Sequence, residues 1–347
     1  MSPPGARACL RARLSGALAR LDPDAGPAKG LARLVHEGLD EAPLPAQGHT
    51  LLRWQLLCAV AEHDLSLAKL VEGHLDALAV QAEVAPGAQR PVGSTWGMWA
   101  SEAPGGRTCF EAVAADEVRL NGRKAWCSGA AQLSHGLLTA WSADGTKPQL
   151  VRVAMAQPGV WVSDAAWQAV GMAASASGDI TFQDAVGHRV GDAGAYLQRP
   201  GFWQGGAGIA ACWHGGALAL ANTLRRAIAE APSEQRSAFR MAALGRVDVA
   251  LQSTAALLRE AARWIDEHPA RDASALALRV RLCAERSATL VLDEAGRALG
   301  ATPFCRDRRF ARMAADLPVY LRQSHAERDL AALGERTAAA EGAPWSL

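Results

Sequence analysis

Long apolar runs, paired cysteines, a dominant sign of charge and nucleotide-loop signatures are all missing from this 347-residue sequence, and each absence removes a class of function. No stretch approaches the roughly 20 uninterrupted apolar residues that a membrane-spanning helix needs, and the N-terminus lacks the apolar core of a secretory signal. The seven cysteines (Cys9, Cys58, Cys109, Cys127, Cys212, Cys283 and Cys305) are odd in number, scattered and without a CxxC pair. Neither a disulfide framework nor a zinc ribbon is indicated, no metal site is expected, and a reducing cytoplasm is the expected location. Charge is balanced, with 36 basic against 35 acidic side chains and a net charge of +1. No basic block alternates with aromatics, so nucleic acid is not an expected partner. Gly205-Gly206-Ala207-Gly208 lacks the third glycine and the preceding strand of a dinucleotide loop, and reads as a flexible lead into a helix.

What is present is an apolar fraction of 50% against 20% charged residues, the composition of a globular chain. Its length favours two or more packed units. Residues 1–85 carry helical patterning, clearest from Asp64 to Leu78, where Leu67, Leu70, Val71, His74, Leu75 and Leu78 follow the 3.6-residue period. The first 20 residues are basic and free of acids, as in a transit peptide, but Leu10, Leu14, Leu18 and Leu21 mark an ordinary first helix, the reading adopted here. After Pro86 glycine and proline become dense. Short runs such as Glu117–Leu120, Leu150–Met155, Val160–Val162 and Asp179–Phe182 read as antiparallel β-strands. Helical periods return over about 206–229, 236–267, 272–299 and 308–335, broken at Pro232, Pro269 and Pro303. The expected fold is α+β and mostly α: an N-terminal helical domain (1–88), a small middle antiparallel β domain (89–200) and a C-terminal four-helix bundle (201–347).

Within the β section, Asn121-Gly122 lies between Val118-Arg119-Leu120 and Lys124-Ala125-Trp126, the pattern of a two-residue type I′ hairpin turn. The second strand would end in Trp126-Cys127-Ser128-Gly129. The run Leu120–Gly129 resembles the "lnGxKxWItna" hairpin of the acyl-CoA dehydrogenase superfamily. Gly97-Met98-Trp99-Ala100-Ser101-Glu102 resembles its "GxxxTEP" strand, and Gly171–Phe182 its "GmrasxsgdvxFddv" strand, in the family's order and spacing.

That resemblance implies a flavin oxidoreductase that binds FAD, works as a homodimer or homotetramer, and acts on an acyl thioester of CoA or a carrier protein with an electron-transfer flavoprotein as redox partner. An isoalloxazine ring needs an aromatic wall and short polar donors. By the resemblance Trp126 supplies the wall, Ser128 a donor near the redox nitrogen and Ser101 a contact to the pyrimidine edge, with Trp99 and Cys127 adjoining the site. Without the resemblance, Trp126 reads as a core aromatic at a strand end, Ser128 as a turn residue and Cys127 as a small buried filler. The family's glycine-serine turn for the pyrophosphate is replaced by Ala103-Pro104-Gly105-Gly106-Arg107, where Arg107 offers a guanidinium to phosphate. The intersubunit arginine element is not recognisable after Arg225-Arg226, and the late glycine element is reduced to Gly296–Gly300.

The family's catalytic glutamate is missing from both of its usual places, which register near Pro318 and Gly205. Asp316 stands two residues from the late position, either as the base or as a helix cap ahead of Pro318. A second branch, the flavin monooxygenases resembling dibenzothiophene monooxygenase, also lacks that glutamate, and its resemblance implies FMN or FAD supplied in reduced form by a separate flavin reductase for use on a small apolar substrate. Pro318-Val319 and the Ser66–His74 stretch match its features, and His74 is either catalytic or a satisfied core histidine. A third alternative is a binding or assembly subunit that keeps the fold without catalysis. Arg306, Arg308, Arg309 and Arg312 read either as a phosphate-binding cluster or as a solvated face paired with Asp307, and His325 as functional or as surface polar.

Overall fold

In the computed structural model the described residues are 4–102, 107–143, 145–232, 237–343 and 345–346. In chain order they form helices α1 (Pro4–Ala19), α2 (Pro27–His36), α3 (Thr50–His63) and α4 (Leu65–Val84), then strands β1 (Trp96–Trp99), β2 (Thr108–Ala112), β3 (Glu117–Cys127), β4 (His135–Ala140), β5 (Gln149–Ala154), β6 (Val160–Ser163) and β7 (Gly178–Val190). A short 3-10 turn, Ala173–Ser175, precedes β7. Helices follow: α5 (Ala195–Gln198), α6 (Gly201–Ala229), α7 (Ala238–Glu267), α8 (Ser274–Leu299), α9 (Thr302–Arg306), α10 (Arg308–Leu321) and α11 (Glu327–Ala338). The chain divides into two compact units, one of residues Met1–Leu44 with Ser66–Phe202, the other of Pro45–Leu65 with Trp203–Leu347.

The first unit holds one sheet of order β1-β4-β5-β7-β3-β2, with β6 added against β7. Every strand pair is antiparallel except β1 with β4, which run parallel from Trp96 opposite His135 to Trp99 opposite Leu138. The intervening hairpin of β2 and β3 carries the chain across the sheet before it returns beside β1. Helix α4 lies on this sheet: Ala77 and Val80 pack with Trp96, Leu137, Leu150 and Val190, all buried. Each large apolar side chain buried so completely stabilises the unit by about 1.5–3 kcal/mol. The first helix forms as its leucines require, burying Leu14 and Leu18.

Asn121-Gly122 does not make a turn. Strand β3 runs through it without a break, and the reversal comes earlier, where the amides of Val113 and Ala114 both donate to the carbonyl of Glu117. A bulge in β7 faces this point: Leu120 pairs with Ala185 but Gly122 with Phe182. Asp184, in the left-handed region at φ 54°, donates its amide to Asn121 Oδ1 at 2.9 Å. Gly122 has φ 102°, and a Cβ there would collide with the carbonyl of Arg107. The residues that suggested a hairpin are used instead to fit two strands around a bulge.

In the second unit α7 and α8 run antiparallel. Arg246 holds Glu294 through two hydrogen bonds of 2.7 and 2.8 Å, and Thr254 bonds Ser287 at 2.7 Å. Asp266 near the end of α7 accepts from the Thr50 amide at 3.0 Å and from its hydroxyl at 2.6 Å. A carboxylate thereby satisfies open amides at the start of α3, where the helix dipole favours negative charge. The Gly205–Gly208 stretch lies inside α6, where Ala207, Ala210 and Ala211 are buried, so packing of small residues overrides glycine's weak helix propensity. The last expected helix is two: α10 ends at Leu321 and α11 begins at Glu327, separated at Ala326, which takes φ 45°. Among the described residues no helix is long and apolar enough to cross a membrane.

Candidate functional site

The end of β3 carries the residues singled out from the sequence, and a second bulge arranges them. Lys124 pairs with Ile180 of β7 while Cys127 pairs with Gly178, so β3 contains one extra residue there. Regular alternation would put Trp126 on the same face as Lys124, which is 2% exposed. The bulge turns it out: Trp126 is 53% exposed and its backbone is left-handed, φ 59°. That conformation costs a bulky residue about 1–3 kcal/mol and persists where the surroundings dictate it. Trp126 is therefore no core aromatic but a broad apolar plane presented at the end of a strand.

Two residues on, Ser128 is buried to 8% exposure and its hydroxyl lies 2.7 Å from Ser177 Oγ. Ser177 in turn lies 2.9 Å from Ser175 Oγ, and Ser175 donates to the carbonyl of Met172 at 2.8 Å. The Gly129 amide donates to the Ser175 carbonyl at 2.9 Å, fixing the end of β3 against the turn before β7. Trp99 sits behind this layer, 3% exposed, and donates its indole N–H to the Ser128 carbonyl at 3.2 Å. A Cβ on either Gly97 or Gly136 would collide with the Trp99 ring, so these two glycines form its slot. Trp99 thus supports Ser128 from below. Ser101 is exposed on the segment leaving β1.

Lys124, which sequence reasoning passed over, is the other organising residue. Its ammonium reaches Glu102 Oε1 at 2.7 Å, Thr139 Oγ1 at 2.7 Å and the Thr139 carbonyl at 3.0 Å. Burial pushes its pKa down, opposed by the hydrogen bond and charge of Glu102. All three ammonium protons have acceptors, and one of them anchors the segment that follows Ser101. The signal was a lysine at an inward strand position inside the quoted run. Cys127 is fully buried, and burial raises its thiol far above the usual range, so it is a filler with no exposed sulfur for a ligand. Arg107 is exposed with its guanidinium 3.8 Å from the centre of the Trp141 ring, which limits the directions it can face. Ala103 to Gly106, the altered turn ahead of it, lie outside the described residues.

His74 is fully buried on α4. Its Nδ1 accepts from the Trp96 amide at 3.1 Å, so its proton is on Nε2, which donates to Asp40 Oδ2 at 3.4 Å. Arg90 donates to the same oxygen at 3.1 Å. Burial alone would raise the Asp40 carboxyl, and the hydrogen bond from His74 with the charge of Arg90 overcomes it, holding the group below the usual carboxylate range. With both nitrogens committed and no exposed surface, this ring ties α4 and β1 together.

In the second unit Asp316 is 2% exposed and lies within α10, not at its start. The cap of that helix is Asp307, which accepts from the Phe310 amide at 3.0 Å, so the capping alternative for Asp316 is overturned. Pro318 is accommodated inside the same helix. The arginine cluster has protein partners: Arg309 donates to the Glu62 carbonyl at 2.6 Å and Arg312 pairs with Asp64. His325 is half exposed and lies 3.5 Å from Asp329.

No protein-family model and no curated protein sequence matches the chain. Solved structures do. TdsC from Paenibacillus sp. A11-2, solved with FMN and indole, is similar at a TM-score of 0.82 and 17% identity over 95% of this chain and 96% of that one. KijD3, solved with FMN and a dTDP-linked amino-keto sugar, is similar at 0.82 and 21% identity over 97% and 94%. Methanesulfinate monooxygenase MsuC from Pseudomonas fluorescens is similar at 0.77 and 19% identity over 97% of each chain. The chain shares with these structures an acyl-CoA dehydrogenase-like α+β fold.

Proposed function

We propose that this protein is a flavin-dependent monooxygenase that takes up reduced FMN or FAD from a separate flavin reductase and acts on a small apolar substrate. The observation that carries the flavin reading is Trp126, a half-exposed indole held in a left-handed backbone two residues before a buried hydroxyl. A surface tryptophan gains nothing from that strain alone, and a planar ligand beside it supplies the missing contact. The monooxygenase reading takes precedence over α,β-dehydrogenation of an acyl thioester because TdsC, described as a dibenzothiophene monooxygenase, and MsuC share the fold over nearly the whole chain. It also needs no glutamate at either family position.

Reduced flavin, when bound, supplies two electrons to O2, of which one oxygen atom goes to the substrate and the other leaves as water. The protein's own residues bind and orient. Trp126 offers the plane, Ser128 a polar atom beside it, and Lys124 fixes Glu102 so that Ser101 is held at a defined edge. Arg107, steered by Trp141, is placed for a phosphate. His74 enters this proposal as a positioning residue, because it accepts from the Trp96 amide at the start of β1. We place the protein as a homodimer or dimer of dimers, a reading supported by the exposed Phe239, Met241 and Val249 along α7, and in a reducing compartment, which suits seven free cysteines.

The test mixes protein loaded with reduced flavin against oxygen in a stopped-flow spectrometer. Return of the oxidised spectrum in resolved phases is expected, and acyl-CoA thioesters added anaerobically should leave the oxidised band intact. Oxidation in one phase at the rate of free flavin, with bleaching by a thioester, would restore the dehydrogenase reading. Failure to bind either flavin would remove both.

A further inference from the structure

Trp213 on α6 is fully buried in the second unit, and its indole N–H has no hydrogen-bond partner among the described residues. A buried donor without an acceptor bears the whole cost of leaving water, and an apolar side chain in the same place would bear none. An orphan of the opposite kind lies close by. Gln323 belongs to the turn between α10 and α11, and its side-chain oxygen is buried and accepts from nothing among the described residues. Arg281 of α8 links the two. Its guanidinium is 5.5 Å from the centre of the Trp213 ring, and its Nη2 donates to the main-chain carbonyl of Gln323 at 2.9 Å. Beside that guanidinium α6 is bare: Gly206 stands about two turns before Trp213, on the same face of the helix. A Cβ on Gly206 would meet nothing beyond its own helix within 4 Å except Arg281 Nη1, at 3.8 Å. A Cβ on Gly215 would by contrast collide with the Cys58 carbonyl, so α6 is closely packed further along and the open space is local to Gly206.

We infer that this place is a binding site for a neutral molecule with a carboxamide group, received between Gly206, Trp213, Arg281 and Gln323. A carboxamide has a carbonyl oxygen that accepts from the Trp213 N–H and an N–H that donates to Gln323 Oε1, so one planar group satisfies both orphans. An apolar ligand would satisfy neither. A carboxylate would serve Trp213 with its acceptors and leave Gln323 without a donor. The Arg281 charge favours the negative end of the amide dipole at the ligand's carbonyl oxygen, and the open face at Gly206 leaves room for the rest of the molecule. A single water also both donates and accepts, and the experiment separates it from an organic ligand. The site lies within the second unit alone, so the inference does not rest on the flavin reading.

The test is titration of the full chain with acetamide, benzamide, benzoate and toluene, followed by calorimetry and by NMR of protein isotope-labelled at its tryptophan indole nitrogens. The 11 tryptophans give one indole resonance each, and the one lost in Trp213→Phe belongs to Trp213. Acetamide and benzamide should bind saturably and move that resonance downfield, as an N–H does on gaining an acceptor. Toluene and benzoate at equal concentration should leave it in place. Gln323→Leu should weaken amide binding about three- to tenfold, the worth of one neutral hydrogen bond. Gly206→Leu should abolish it, and because leucine is favoured over glycine in a helix this variant keeps the fold. Circular dichroism identifies a Trp213→Phe or Gln323→Leu protein that does not fold, and calorimetry of Gly206→Leu then decides. Absence of amide binding by wild type, an equal response to toluene or benzoate, or unchanged amide affinity in Gly206→Leu overturns the inference, and the first of these assigns the orphans to ordered water only. Amide binding without flavin binding overturns the flavin reading alone, and flavin binding without amide binding overturns this inference alone.

Discussion

Replacing Trp126 separates strain from binding, because glycine and alanine remove the same indole but differ in what the backbone permits. The indole is 53% exposed, so about half of the 150–250 Å² a tryptophan can bury is lost on truncation, roughly 100 Å² or about 2.5 kcal/mol as an upper figure. Alanine keeps the left-handed penalty of φ 59°, whereas glycine abolishes it and recovers about 1–2 kcal/mol. Against this stands glycine's greater freedom in the unfolded chain, about 0.5–1 kcal/mol. Trp126→Gly should therefore be more stable than Trp126→Ala by several tenths to about 1 kcal/mol, the reverse of the order at an ordinary strand position. Urea unfolding followed by circular dichroism reads the difference directly. A Trp126→Gly protein clearly less stable than Trp126→Ala would refute the claim that the backbone is strained there. Both variants should bind flavin at least about tenfold more weakly, since an aromatic pair alone is worth about 0.5–1.5 kcal/mol beyond the area it covers.

His214 on α6 is 8% exposed, and burial pushes its pKa down to about 4 from the ordinary 6.5. Its contribution to stability is complete above pH 6.5 and falls as the unfolded chain alone takes up the proton between 6.5 and about 4, by roughly 3 kcal/mol in all, and His214→Gln should flatten that stretch of the stability profile. Asp40→Asn, made to test the clamp of His74 on Trp96, should cost about 1–3 kcal/mol in urea unfolding because it removes a charged acceptor from a buried ring N–H; a change within a few tenths would show that the clamp contributes little. A thiol reagent under native conditions should modify the exposed Cys9, Cys109 and Cys305 and spare Cys127 and Cys212 until the protein unfolds. Fast loss of the Cys127 thiol in the folded protein would contradict its burial.

What the sequence made legible was periodic. The leucines of α1 and α4 and the short β runs announced themselves because burial repeats at 3.6 or 2 residues, and the layout of helices, strands and helices follows from that alone. What it concealed depends on single residues whose effect is set by distant partners. Asn121-Gly122 has the composition of a turn, but its glycine is needed against the Arg107 carbonyl and its asparagine against a bulge in β7. The helix break at Ala326 carries no glycine or proline to mark it. Asp316 looked like a cap or a base and Asp307 like a partner for the arginines around it, and only the hydrogen bond from the Phe310 amide shows that Asp307 is the cap. The contacts of Ser128 with Ser177 and of Ser177 with Ser175 were invisible because they depend on how the turn before β7 meets the end of β3, which no residue code reports.

The extra residue between Lys124 and Cys127 shows how one backbone irregularity builds a site. Up to Lys124 the strand alternates, with Val118, Leu120 and Lys124 on the buried face. Continued without a bulge, that pattern would bury Trp126 beside the Lys124 ammonium and expose Cys127, which would leave no aromatic plane and open a thiol. Shifting the register by one residue exchanges them, since side chains in a strand change face at every step. The exchange costs the strain at Trp126 and the ladder bonds lost in the bulge, and in return the strand ends with an indole outside, a small thiol inside and Ser128 against Ser177. The same bulge carries a testable consequence for the lysine. With Trp126 turned out, Lys124 is surrounded by Glu102 and Thr139, so Lys124→Met, of similar length, removes the charge and leaves Glu102 without its ion pair. Because Glu102 is 40% exposed it can turn to water, so the loss of stability should be modest, about 1–2 kcal/mol, mostly from the Thr139 groups left without a donor. Flavin affinity should fall as well, because the segment carrying Ser101 keeps only the Thr139 hydroxyl, 2.8 Å from Glu102 Oε1, as its anchor, and adding back the charge with Lys124→Arg should not rescue it, since a planar guanidinium cannot meet the three acceptors that the compact ammonium satisfies. Unchanged flavin affinity in a folded Lys124→Met protein would show that Glu102 and Ser101 are held in place without the lysine.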